Sequence, residues 1–70
     1  MQQVATLRLT AENVIEKLLP GDSFADDASL APVKSVRLTR DGFDNAMVYF
    51  LDGSSDILGL PQTVKVTRDN

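Results

Sequence analysis

Apolar and polar residues alternate along three stretches of the chain, run apolar without interruption through a fourth, and recur with helical spacing in one more. From Val4 to Thr10, Ala5, Leu7 and Leu9 fall on one side and Val4, Thr6, Arg8 and Thr10 on the other, the period of a half-buried strand. Val33 to Arg40 repeats the pattern, with Val36 and Leu38 inward and Ser35, Arg37 and Thr39 outward, and Thr63 to Thr67 does so with Val64 and Val66 inward. Between the first two, Ala11, Val14, Ile15, Leu18 and Leu19 share a stripe opposite Glu12, Asn13, Glu16 and Lys17. That spacing predicts an amphipathic helix over 11–19. Thr10 is its expected N-cap, Glu12 suits the positive end of its dipole, and Pro20-Gly21 stops it.

The uninterrupted run Ala46-Met47-Val48-Tyr49-Phe50-Leu51 reads as a central strand covered on both faces. It enters Asp52-Gly53 and leaves through Ser54-Ser55-Asp56-Ile57-Leu58, the signature of a hairpin with a two-residue type I′ turn and Gly53 at positive φ. That turn pairs Leu51 with Ser54, Phe50 with Ser55, Tyr49 with Asp56, Val48 with Ile57 and Met47 with Leu58. One face then holds Val48, Phe50 and Ile57, and the other Met47, Tyr49, Leu51, Leu58 and Leu60. Residues 22–32, rich in Asp, Ser and Ala, read as a long surface loop whose large apolar groups are Phe24 and Leu30. Residues 41–45 and 59–62 read as connections, and 68–70 as a frayed end.

The expected fold is therefore α+β: strand-helix-strand-strand-strand-strand, one mainly antiparallel sheet with one helix packed on one face, in a single domain over 1–70. Its core would combine the helix stripe with Ala5, Leu7, Leu9, Val36, Leu38, Val48, Phe50, Ile57, Val64 and Val66.

Composition narrows the chemistry. The chain has 70 residues, a net charge of −3 and neither cysteine nor histidine. Disulfides, thiolate sites and imidazole bases are thereby excluded, and a core this small benefits from a partner chain. An acidic balance argues against non-specific binding to nucleic acid or an anionic membrane. No apolar run approaches the ~20 residues of a bilayer span, so a cytoplasmic protein is the default expectation. Asp22, Asp26 and Asp27, and Asp41, Asp44 and Asn45, lack the ligand spacing of a calcium loop. No motif sets a nucleophile beside a base, and neither a metal, a cofactor nor an enzymatic activity is expected.

Two surfaces remain. Met47, Tyr49, Leu51, Leu58 and Leu60 form an apolar strip on the face that a single helix leaves bare, the expected contact for a homodimer or another protein. Phe24 and Leu30 compete for that strip, since the 22–32 loop could fold across it. Arg8, Arg37 and Lys65 around Tyr49, on the same expected face, offer phosphate-holding and base-stacking groups and thus a second expectation, binding of nucleic acid.

Overall fold

A computed structural model describes residues 2–69. It contains six strands and one helical turn: β1 (Gln2–Leu9), α1 (Val14–Lys17), β2 (Ser23–Phe24), β3 (Val33–Thr39), β4 (Asn45–Phe50), β5 (Ser55–Gly59) and β6 (Gln62–Asp69). All pairings are antiparallel, and they form two sheets rather than the one expected. The first has the order β1-β6-β2 and the second β3-β4-β5. β5 and β6, joined only through Leu60 and Pro61, thus belong to different sheets. The chain crosses from one layer to the other at that link.

The layers meet in one core. Leu9 and Val66 from the first sheet, and Val33, Ala46, Val48 and Phe50 from the second, are buried together with Val14 and Leu18. Inward positions alternate as the sequence predicts along β1 and β6, and along β3 a bulge between Val33 and Ser35 turns Val33 inward as well as Val36 and Leu38.

The helix is shorter than the 11–19 stripe predicts and does not lie across a sheet face. It packs against β1 and β3, one strand of each layer, and so plugs one side of the sandwich. Ala11, Val14 and Leu18 are buried, whereas Ile15 and Leu19 are exposed. Asn13, not Thr10, supplies the local side-chain bonds: its Oδ1 accepts from the Thr10 N–H at 2.9 Å and its Nδ2 donates to the Arg8 carbonyl at 3.2 Å. A single turn between two edge strands needs only a narrow apolar stripe, and the chain leaves helical geometry at Leu18 to reach β2.

The β4–β5 register also differs from expectation. Met47 pairs with Ile57, Ala46 with Leu58, and Tyr49 with Ser55. The loop has three residues, Leu51-Asp52-Gly53, closed by the Phe50 N–H donating to the Ser54 carbonyl at 2.9 Å. Asp52 Oδ1 accepts from the Ser54 hydroxyl and N–H at 2.6 and 2.9 Å, and only Gly53 of the three has positive φ, at 89°. A type I turn followed by a left-handed glycine replaces the type I′ turn. One residue of slip reverses the faces of β5: Leu58 joins the core side with Ala46, and Ile57 turns outward, 59% exposed.

The 22–32 segment is more ordered than a surface loop. Ser23 and Phe24 pair with Thr67 and Val66, and the Phe24 ring meets Phe50 edge-on at 6.1 Å. Arg68, expected in a frayed end, lies in β6 and holds Asp22; Asn70 lies outside the described residues. Among the described residues no helix is long and apolar enough to cross a membrane.

Candidate functional site

Each sheet turns one face inward, so the molecule has two outer faces, and they differ in chemistry. On the β1-β6 side the outward residues are Val4, Thr6, Arg8, Thr63, Lys65 and Thr67, a largely polar face on which Arg8 donates to the Thr63 hydroxyl at 3.3 Å. The β3-β4-β5 side carries the rows Arg37–Met47–Ile57 and Ser35–Tyr49–Ser55. Met47 and Tyr49 are half-buried there, and Ile57 and, in the adjoining turn, Leu51 are exposed.

The expected apolar strip is therefore divided. Met47, Tyr49 and Leu51 stay at the surface, while Leu58 and Leu60 pack against the core because of the register slip. Ile57, expected inside, takes the vacated outer position. Phe24 and Leu30 pack against the core as well, on the inner side, and leave the outer face uncovered. The basic set is divided too: Arg8 and Lys65 project from one sheet, Arg37 and Tyr49 from the other, with the core between them. They share no surface on which a phosphate chain and a stacked base would meet at once.

A cavity of about 230 Å³ opens on the side of the sandwich opposite α1, where β5 and β6 fail to pair. Phe24, Leu30, Val48, Phe50, Leu58 and Val64 make its apolar wall. Asp26, Asp27, Asp56 and Lys65 also border it. The hydroxyl of Ser29, and then its N–H, bond the Asp27 carboxylate and hold its pKa below the ordinary carboxylate value. Asp56 occupies an inward position on β5, opposite Val48, yet is exposed because the sandwich is open beside it.

Asp22 does not join Asp26 and Asp27. It is 2% exposed and is gripped by Arg68, Nε to Oδ1 at 3.0 Å and Nη2 to Oδ2 at 2.6 Å. The Leu19 N–H donates to Oδ2 at 2.9 Å, and Arg68 Nη2 also donates to the Lys17 carbonyl at 3.1 Å. This bidentate pair ties the end of the helical segment to the last strand, a structural clamp that local sequence pattern cannot reveal because its partners are 46 residues apart. No family model matches the chain, nor does any curated protein or solved structure.

Proposed function

We propose that this chain is a small, non-enzymatic protein-interaction module that pairs with a second copy of itself through the outer face of β3-β4-β5. The contrast between the two outer faces supports this reading: one is threonine-rich and basic, while the other sets Met47, Tyr49 and Ile57 side by side with Leu51 at their end. Apolar groups gathered on one exposed face gain by leaving water together, at roughly 25 cal/mol per Å². Short chains gain most, because each layer of this sandwich is covered on one side only. Three strands about 4.8 Å apart present a narrow face. The association accordingly belongs to the weak, concentration-dependent class of interface.

Met47 and Ile57 are cross-strand neighbours, so glutamates at both positions confront their symmetry mates across an isologous contact. Sedimentation velocity over a range of concentrations should show wild type moving from monomer towards dimer and the Met47→Glu, Ile57→Glu variant remaining monomeric. Thr6→Glu, on the opposite face, should behave as wild type. A wild type that stays monomeric at millimolar concentration overturns the proposal.

A further inference from the structure

We infer that the opening between β5 and β6 receives an extended segment of another polypeptide, which adds as a strand to β5 and places an apolar side chain in the cavity and a lysine or arginine beside its carboxylates. The backbone of β5 supplies the first reason. Phe50 donates to Ser54 and Leu60 donates to Asp44, and antiparallel ladders alternate bonded with non-bonded pairs. Residues 54, 56, 58 and 60 therefore bond across to β4, and Ser55, Ile57 and Gly59 direct their N–H and C=O groups away from it. Among the described residues β4 is the sole strand paired with β5. On the open side the Ile57 N–H donates to the side-chain Oδ1 of Asp56 at 2.8 Å, and the Gly59 carbonyl accepts from Gln62 Nε2 at 2.9 Å. These side chains stand where the carbonyl and amide of a neighbouring strand would be.

The second reason is the cavity's shape and lining. A strand laid along β5 turns alternate side chains inward, in line with Asp56 and Leu58, and those positions lead into the apolar wall formed by Phe24, Phe50 and Val64. A volume of about 230 Å³ is below the usual range for a drug-sized ligand and suits one or two side chains.

Charge gives the third reason and selects the partner. Asp26, Asp27 and Asp56 carry three negative charges at the border of the cavity against the single positive charge of Lys65. An inward-facing acid on an edge strand also repels indiscriminate pairing, so the edge accepts a chain able to neutralise it. A basic group arriving beside Asp56 does so as the Ile57 N–H passes from the Asp56 carboxylate to the incoming carbonyl. None of the cavity's residues lies on the outer face of β3-β4-β5, and this inference stands independently of self-association.

The probe is a synthetic peptide, acetyl-Thr-Lys-Val-Leu-Val-Lys-Thr-amide, titrated into labelled protein and followed through its backbone amide resonances. Saturable shifts should concentrate in Ser55–Gly59 and Gln62–Lys65. Replacing both lysines by glutamate should weaken binding by about tenfold or more, because the steering charge is reversed. A peptide with proline in place of both valines, which face outward and turn their N–H groups towards β5 in an antiparallel pair, should also bind far less. Leu58→Phe fills the cavity and Asp56→Lys reverses its border charge, the latter at an exposed site where folding is not at stake; both should abolish the shifts. Equal binding of the lysine and glutamate peptides, equal binding of the proline peptide, shifts centred on Met47 and Tyr49, or no saturable shift at millimolar peptide would each overturn the inference.

Discussion

Removing the guanidinium of Arg68 should cost more stability than any other single change at a residue this accessible. In Arg68→Met the side-chain stem is retained, but among the described residues the buried Asp22 carboxylate keeps only the Leu19 N–H as a partner, and the Lys17 carbonyl loses its Arg68 donor. Breaking a buried ion pair on one side costs about 3 to 5 kcal/mol, since a charge is left in a poorly solvated site. Arg68 is 26% exposed and water reaches part of the pair, which places the expectation near the lower figure, about 3 kcal/mol. A 70-residue domain has a total stability of roughly 4 to 10 kcal/mol, so the variant loses about 30% of it or more. In guanidinium chloride, with a slope of about 2 kcal/mol per molar for a chain this small, the midpoint should fall by about 1.5 M. The double variant Asp22→Leu, Arg68→Met removes both charges and should recover most of the loss, because an apolar pair of similar volume often replaces a buried ion pair at little cost. A midpoint shift below about 0.3 M for Arg68→Met, or a double variant weaker than both singles, would refute the idea that Asp22 depends on Arg68.

Three further expectations test the hairpin. At concentrations where the protein is monomeric, Leu58→Ala should destabilise by about 1.5 to 3 kcal/mol and Ile57→Ala by under about 0.5 kcal/mol, measured by thermal or chemical unfolding; the reverse order would restore the two-residue turn and its register. Gly53→Val should cost about 1 to 2 kcal/mol or more for purely conformational reasons, since a Cβ at Gly53 meets no atom within 4 Å yet sits at φ 89°, and an unchanged stability would place Gly53 elsewhere in φ. The Ser54 hydroxyl and then the Ser54 N–H bond Asp52 and lower its pKa below the ordinary carboxylate value. A pKa depressed on folding adds stability above the unfolded value and loses it as pH falls through the folded one. Asp52 should thus titrate below 3.8 by carboxyl NMR and move back towards it in Ser54→Ala.

Local pattern by itself determined the five longer strands and, for β1, β3 and β6, which side of each faces the core, whereas the short β2 was hidden in a stretch that reads as loop. A period of two survives in any packing that buries one face, and so Leu9 and Val66 were legible as interior before any partner strand was known, whereas Val48 and Phe50, in an uninterrupted apolar run, were placed inside together with the hairpin. Positive φ at Gly53 was equally legible, because both candidate turns require it there. What followed Gly53 was not: whether two residues or three close the loop depends on the bonds that Asp52 makes to Ser54, and that one-residue choice moved Leu58 inward and Ile57 outward. The division into two sheets was decided by β6 pairing with β1 across the whole length of the chain instead of with its neighbour β5, a non-local pairing that no window of sequence contains. That division separated Arg8 and Lys65 from Arg37 and Tyr49, confined the helix to a plug between β1 and β3, and left the β5–β6 side open. Asp22 carries the same lesson at the level of one side chain. In sequence it is another acid in an acidic loop, and only the return of β6 brings Arg68 close enough to let it be buried.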